Sequence, residues 1–287
     1  MPDTGANEAQ VPFVVENPWE RLQAFTDARI GLGRAGVSLP TRQLLAFQLA
    51  HAQAQDAVHC PLDSDALASQ LTNTLSLTVP PLRLHSHALD RAMYLQRPDY
   101  GRRLNDDSRA RLQTAAMDGQ RFDLAVVIVD GLSARAVQQN SAPFLAALYH
   151  AIQQDQSDSE DVWRLAPLTI VEQGRVAVGD EVGDLLNADA VLVMIGERPG
   201  LSSPDSLGLY MTWAPEPGLK DDRRNCISNV RPAGLSSEEA ARRLMLLLKE
   251  ARQRRLSGVQ LKDRSEDSVL EGESGGSGST RNFLVAD

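Results

Sequence analysis

Two charged side chains, Glu197 and Arg198, follow the apolar run Val191–Ile195 in a loop bounded by glycine and proline. An ionised carboxylate accepts hydrogen bonds and a guanidinium donates them, so this pair could bind a polar ligand. In open α/β sheets, ligands bind outside the carboxyl ends of the strands. If Val191–Ile195 is a strand, the loop after it is the first place to expect a binding site.

A second polar turn, Asp130–Ser133, follows the apolar run Leu124–Val129. Two interpretations stay open: a ligand-facing turn at the mouth of a sheet, or a glycine-enabled turn whose Ser133 caps the next helix. The phosphate-binding pattern G-x-G-x-x-G is absent after this run. It occurs at Gly31–Gly36, but there it follows a helical pattern, so we interpret it as a backbone bend.

Metal and disulfide chemistry have little support in the sequence. His85 and His87 lack partner ligands at a suitable spacing for zinc. Cys60 and Cys226 are the two cysteines of the chain, too few for a disulfide framework or a four-thiolate zinc site. They fit a reducing cytoplasm, which is the predicted location.

Composition excludes other classes of protein. The chain has 287 residues, 42% of them hydrophobic, which is ordinary for a globular protein. Its 38 acidic and 29 basic residues give a net charge of -9, which disfavours nucleic acid as a partner. No apolar run approaches the roughly 20 residues that cross a bilayer, so we expect no membrane span. The basic pairs Arg102–Arg103 and Arg223–Arg224 are interpreted as helix ends or interface charges.

Patterning divides the chain into four predicted regions. Residues 1–17 form a mobile polar tail, and residues 18–120 form a mostly helical N-terminal region. Residues 121–261 form the main domain, and residues 262–287 form a flexible polar tail rich in glycine and serine.

Helices dominate the prediction for the N-terminal region. The first begins after Asn17, an N-cap that precedes Pro18, and ends near Ile30. The second opens at Thr41 and places an apolar set on one face. That set is Leu44, Leu45, Leu49 and Ala52. Shorter helices are predicted at Asp63–Leu71, Ala88–Gln96 and Asp106–Met117.

Strands and helices alternate in the main domain. Strands are predicted at Leu124–Val129, Leu168–Val171, Val191–Ile195 and Leu209–Thr212. A helix begins at Ser236, whose capping box with Glu239 precedes a buried stripe. Residues 174–200 are predicted to form a strand that includes Val176, a turn, a short helix, a second strand and a loop. The predicted fold class is α/β, a Rossmann-like parallel sheet flanked by helices.

Several separated blocks of the chain resemble the light (small) subunit of ethanolamine ammonia-lyase, an adenosylcobalamin-dependent enzyme. The blocks are Arg29–Gly36, Asp123–Ser133, Gly174–Gly200 and Asn225–Asn229. They stand in the family's order, and the resemblance runs from about Trp19 to about Leu261.

The resemblance implies three cofactor-binding residues, Val176, Glu197 and Cys226, at the positions that contact adenosylcobalamin in the family. By residue type alone they are a strand residue, a loop acid and a small buried hydrophobe. Cobalamin has a broad ring edged with amides, so Glu197 could accept amide hydrogen bonds. No histidine lies in an Asp-x-His-x-x-Gly motif, which fits the base-on binding mode of the family.

The resemblance also implies a partner and a reaction. The partner is a heavy (large) subunit that carries the catalytic residues, in an assembly of six heavy and six light chains. Ethanolamine is converted to acetaldehyde and ammonia by radical chemistry, and no catalytic residue is assigned to the present chain. Packing inside a bacterial microcompartment is compatible with this family. The competing hypotheses are a scaffold or targeting protein and a stand-alone nucleotide-binding Rossmann-like enzyme.

Overall fold

The computed structural model describes residues 13–116, 120–158 and 162–261. Its strands are β1 (Val14–Val15), β2 (Arg34–Ala35), β3 (Leu82–His85), β4 (Phe122–Val129), β5 (Thr169–Glu172), β6 (Ala188–Gly196), β7 (Leu207–Trp213) and β8 (Arg224–Val230). Its α-helices are α1 (Thr41–His59), α2 (Ser64–Leu75), α3 (Arg91–Gln96), α4 (Asp106–Ala115), α5 (Ala134–Asp158), α6 (Val178–Leu185) and α7 (Ser237–Arg254). Short 3-10 helices lie at Pro18–Phe25, Tyr100–Arg102, Asp221–Arg223 and Gly258–Gln260.

A six-stranded sheet in the order β3-β5-β4-β6-β7-β8 forms the centre of the molecule. The first four strands in that order are parallel, whereas β7 is antiparallel to β6 and β8 is antiparallel to β7. The prediction of a parallel sheet is therefore wrong for two strands, and the fold is mixed α/β. The cause lies in the connections, because loops of about ten residues can join antiparallel neighbours but cannot hold the helical crossover of a parallel pair.

The apolar runs that predicted central strands are confirmed. All eight residues of β4 are buried, and β6 is buried from Ala190 to Gly196. On one face of the sheet α5 and α7 pack against residues such as Leu192 and Leu209. On the other face α6 packs against residues such as Val191.

The last helix follows its sequence signals. Ser236 Oγ accepts a hydrogen bond from Glu239 N–H at 3.2 Å, as an N-cap should. The predicted stripe of α7 is buried: Ala240, Leu244, Leu247, Leu248 and Ala251. Helix α5 continues through Pro143 to Asp158.

The N-terminal region differs from its prediction. Asn17 caps its helix through Oδ1, which accepts from Trp19 N–H at 3.0 Å, but that helix is a 3-10 helix that stops at Phe25. Strand β3 lies inside the region predicted as mostly helical and pairs with β5 in the central sheet. The predicted tails, residues 1–17 and 262–287, fall outside the described residues except for residues 13–17.

Within the described ranges, no helix combines the length and the apolar composition that crossing a bilayer requires.

Candidate functional site

Glu197 lies where the carboxyl end of β6 meets β7 and β8. Its backbone N–H donates to Ser206 O at 2.9 Å. Its carboxylate Oε2 accepts from Ser206 Oγ and from Asn229 N–H at 3.2 Å. Asn229 has a φ of 61°, a left-handed conformation in which asparagine is enriched. Glu197 is therefore held at the junction of three strands.

Tyr210 lies between Glu197 and Cys226. The strand register pairs Tyr210 of β7 with Cys226 of β8, so the two side chains share one face of the sheet. Gly208 lies on the same face, where a Cβ would be 3.0 Å from Glu197 Cγ and 3.2 Å from Tyr210 Cε2. Burial raises the pKa of Tyr210, and the neighbouring Cys226 and Glu197 raise it further. The phenol is therefore protonated at neutral pH and can donate a hydrogen bond.

Cys226 is exposed rather than the small buried hydrophobe that its residue type suggested. Its neighbour on β8, Ile227, is buried and belongs to the apolar cluster on the α5–α7 side. Cys226 Sγ lies 3.3 Å from Ser228 Oγ. We call the face formed by Gly208, Tyr210, Cys226 and Ser228 the β7–β8 shelf. Cys226 and Ser228 are exposed on it, whereas Tyr210 is half-buried and Gly208 is buried.

Val176 lies in the turn between β5 and α6 rather than on the predicted strand. The turn forms because the buried Asp130 carboxylate, at the end of β4, accepts from Gln173 N–H at 3.0 Å and from Gly174 N–H at 3.2 Å. Val176 is half-buried and packs against the apolar cluster beneath α6. Tyr210 packs against that same cluster, so Val176 and the shelf lie on the same face of the sheet.

The turn after β4 has a structural role. Burial raises the pKa of Asp130 to about 6. The backbone N–H groups that donate to its carboxylate, and the nearby Arg91, limit this rise. Arg91 Nη1 donates to Gly131 O at 2.7 Å. Ser133 Oγ accepts from Ala136 N–H at 3.2 Å and donates to Pro204 O at 2.7 Å. Of the two interpretations of Asp130–Ser133, these contacts support the capped, glycine-enabled turn.

A cavity of about 620 Å³ opens beside Val176. Four basic side chains, Arg102, Arg103, Arg175 and Lys220, line it together with three acidic ones, Asp99, Glu181 and Asp221. Glu197 and Cys226 do not line this cavity. The structure therefore brings Glu197 and Cys226 together around Tyr210 and places Val176 at a neighbouring cavity on the same face.

Arg175 lines the cavity and has one buried donor without a partner among the described residues. Its Nη2 donates to Tyr94 O at 3.0 Å, and its guanidinium carbon lies 4.2 Å from the Tyr94 ring centroid. Its Nε is that buried donor. Arg103, by contrast, is engaged by Glu181. Sequence reasoning missed Arg175, although its place next to Val176 in a family-like block was a usable signal.

Helix α6 is fixed over the sheet by a buried ion pair. Arg224 on β8 donates to both carboxylate oxygens of Asp180, at 2.6 and 2.8 Å. The side chains of Arg224 and Asp180 are 2% and 0% exposed. Burial raises the pKa of Asp180, and Arg224 opposes that shift. Arg224, which the sequence suggested as a helix-end or interface charge, instead joins the shelf strand to α6.

Among residues 13–116, 120–158 and 162–261, no group of three or more histidine, cysteine, aspartate or glutamate side chains could hold a metal ion.

Comparison with known proteins gives consistent results. The family model described as ethanolamine ammonia-lyase light chain matches residues 16–262. A Pseudomonas aeruginosa protein named ethanolamine ammonia-lyase small subunit is 56% identical over 283 residues, covering 98% of this chain and 99% of the relative. Proteins of the same name from Pseudomonas syringae and Xanthomonas campestris are 52% and 53% identical, covering 99% and 93% of this chain and 98% and 95% of the relatives.

Proposed function

Because the chain belongs to the ethanolamine ammonia-lyase light-chain family, we propose that it is the small subunit of an adenosylcobalamin-dependent ethanolamine ammonia-lyase. The enzyme converts ethanolamine to acetaldehyde and ammonia, and a larger subunit carries the substrate site and the catalytic residues. The present chain supplies one wall of the cofactor site through Val176, Glu197 and Cys226. The observation that carries this proposal is the convergence of Glu197 and Cys226 around Tyr210 on one face of the sheet.

Glu197 has the acceptor capacity that a corrin amide requires. Its two hydrogen bonds, from Ser206 and Asn229, both end on Oε2. Among the hydrogen bonds of the described residues, Oε1 has none. Because Oε2 is fixed by two donors, Oε1 is presented in one orientation and can accept an amide N–H of the cofactor. A charge-assisted hydrogen bond of this kind is stronger than a neutral one.

The β7–β8 shelf fits the edge of a broad, partly apolar ring. Tyr210 presents an aromatic body with a protonated hydroxyl that can donate to a corrin amide carbonyl. The Cys226 side chain can pack on an apolar ring edge. Gly208 keeps the surface between Glu197 and Tyr210 low, because any side chain there would press on both.

The cavity beside Val176 fits the nucleotide portion of the cofactor. A volume of about 620 Å³ lies within the usual range for small-molecule sites. The exposed Lys220 can donate to a phosphate. Val176 supplies an apolar contact at the edge of the same cavity.

In this proposal the chain binds and orients the cofactor and keeps water from it. When bound, adenosylcobalamin supplies the radical chemistry of the reaction. Glu197, Tyr210 and Cys226 act on the periphery of the cofactor, so we assign them binding roles and no catalytic role.

The proposal includes an assembly and a location. We propose six large and six small subunits, with each cofactor bound between one of each kind. We also propose a cytoplasmic location, with packing into a bacterial microcompartment directed by the N-terminal tail, residues 1–17, in hosts that have one.

The test is a spectroscopic titration of the purified chain with cobalamin, alone and mixed with the large subunit of the same organism. We expect tight binding of cobalamin only in the mixture. Tight binding of NAD by this chain alone would favour the stand-alone nucleotide-binding enzyme. A mixture that assembles without binding cobalamin would favour the scaffold hypothesis.

A further inference from the structure

An unusually apolar surface covers the start of the described chain. Twelve of the seventeen large hydrophobic side chains that are exposed within the described ranges fall between residues 13 and 49. They are Phe13, Val14, Trp19, Leu22, Phe25, Ile30, Val37, Leu39, Leu44, Leu45, Phe47 and Leu49, with exposures from 37% to 106%. We call this set the N-terminal apolar surface.

Helix α1 shows why this set is not part of the core. The helix contacts the body of the protein through small residues, since Ala50 and Ala57 are its buried side chains. The predicted apolar face of Leu44, Leu45 and Leu49 lies on another side of the helix and is exposed by 41%, 58% and 61%. An apolar helix face that no described part of its own chain covers is typical of a surface that meets another molecule.

The rest of the surface is held in a defined shape. Strands β1 and β2 pair with each other, and Gln23 Nε2 donates to Ile30 O at 2.6 Å. The three glycines of the bend have positive φ angles of 62°, 71° and 60°. At Gly31 a Cβ would lie 2.5 Å from Glu20 N, so the chain packs closely on itself here. A tight backbone bend therefore accounts for the G-x-G-x-x-G pattern without a nucleotide.

The exposed area is that of a protein interface. An aromatic side chain presents roughly 150–250 Å², so the twelve residues together expose on the order of 1,000 Å². The largest apolar patch on a typical monomer covers roughly 300–600 Å², whereas each partner in a standard interface buries about 800 Å². The summed exposed apolar area is thus of the size that one partner buries in a standard interface.

The neighbourhood of this surface identifies its occupant. Arg29 Nη2 donates to Leu201 O at 3.5 Å, and Leu201 belongs to the loop that begins with Glu197. The apolar surface therefore adjoins one end of the proposed cofactor site. A second chain that closes over the cofactor there also lies against this surface, whereas a second copy of the present chain would leave the cofactor site incomplete.

Composition fits a buried interface. Residues 13–49 hold four arginines and three acidic residues, a net charge of +1, in a chain whose net charge is -9. Exposed arginines among aromatic side chains match the composition of protein interfaces. We infer that the N-terminal apolar surface docks on the larger subunit that completes the cofactor site.

This inference takes the identity of its partner from the proposed function. Its test is therefore made without cobalamin. The full chain is mixed with the purified large subunit, and affinity is measured by sedimentation velocity. The variant Phe25→Asp with Leu45→Asp changes two side chains that are 87% and 58% exposed. We expect it to bind the large subunit roughly 30-fold more weakly or worse, as expected for loss of interface anchors.

The matched control is Leu89→Asp, which changes a leucine that is 74% exposed outside the surface and should bind like wild type. Circular dichroism checks that each variant is folded. Hydrogen exchange of the wild-type chain tests the inference without any substitution. Peptides from residues 13–49 should gain protection from exchange when the large subunit is added.

Wild-type affinity of the double variant, or no gain in protection, would overturn the inference. Loss of self-association alone would also overturn it, in favour of a second copy as occupant. If the double variant no longer binds the large subunit while Glu197→Ala binds cobalamin like wild type, the docking inference is supported and the proposed cofactor role of Glu197 is wrong.

Discussion

The two faces of the central sheet are covered to very different extents. On one face α5 and α7, of 25 and 18 residues, pack across the strands with a continuous apolar cluster. On the other face α6 has only 8 residues. Helix α6 packs mainly on β4 and β6, and α4 packs on β3 at the other end of this face. The part of the face formed by Cys226 and Ser228 on β8 is exposed.

The two faces therefore differ in role, since the covered face contributes to stability and the other face holds the candidate binding site. The covered face has buried aliphatic side chains such as Leu209 and Ile227 on β7 and β8. The opposite face of the same two strands has Tyr210, Cys226 and Ser228, which are polar or polarisable. The same strands therefore serve the core with one set of alternate residues and the candidate site with the other. Substitutions on either side of the shelf can test this division.

The largest expected effect is the loss of stability when the buried ion pair that holds α6 on the sheet is broken. Arg224→Ala should cost ~3–5 kcal/mol of unfolding free energy, because it leaves the buried Asp180 carboxylate without its counter-charge. Urea denaturation measures this cost. The double variant Asp180→Leu with Arg224→Met is the matched control, and it should be much less destabilised because neither charge remains. A single-variant cost below ~1 kcal/mol would mean that the pair behaves like a surface salt bridge.

The second prediction concerns how the stability of the protein depends on pH through the carboxyl end of β4, which accepts the hydrogen bonds of the Val176 turn. The folded-state pKa of Asp130 is about 6, above its ordinary value of 3.8. Between these values the folded protein binds the proton more tightly than the unfolded chain does. Stability should therefore fall as pH rises from about 4 to about 6, by up to ~3 kcal/mol.

Asp130→Asn removes this titration, so its stability should be flatter than wild type over the same pH range. The comparison is made by urea denaturation at several pH values between 4 and 7. Other carboxyl groups titrate in both proteins, and the difference between the two curves isolates Asp130. Parallel curves would show that Asp130 does not titrate in this range.

Local patterns predicted the covered part of the molecule well. The continuous apolar runs of β4 and β6 and the stripe of α7 depend on the neighbours of each residue in sequence. The direction of a strand does not depend on these sequence neighbours, because the composition of β7 would be similar whether it ran parallel or antiparallel to β6. The exposed face of α1 was predicted as an apolar face, but sequence periodicity cannot show whether another part of the same chain covers it.

The candidate site was predicted only in part, for a related reason. Glu197 was found from its place after a strand, which is a local signal. Its contacts with Asn229 and its proximity to Tyr210 depend on the register of β6, β7 and β8, which no short segment encodes. Val176 was predicted on a strand because valine favours strands, while the bonds from Gln173 and Gly174 to Asp130 impose a turn.

The smallest expected effect is on cofactor affinity, and it tests whether the uncovered face is the binding face. Glu197→Ala should weaken cobalamin binding in the mixture with the large subunit by roughly 1.5–3 kcal/mol, the usual value of a hydrogen bond to a charged group. Assembly with the large subunit should be unchanged, because this side chain lies outside the N-terminal apolar surface. Ser206→Ala is the matched control, since it removes a donor to Oε2 and leaves Oε1 in place. Its loss of affinity should be smaller than that of Glu197→Ala. Equal affinity of wild type and Glu197→Ala would remove Glu197 from the site, and the difference between the two sheet faces would then need another explanation.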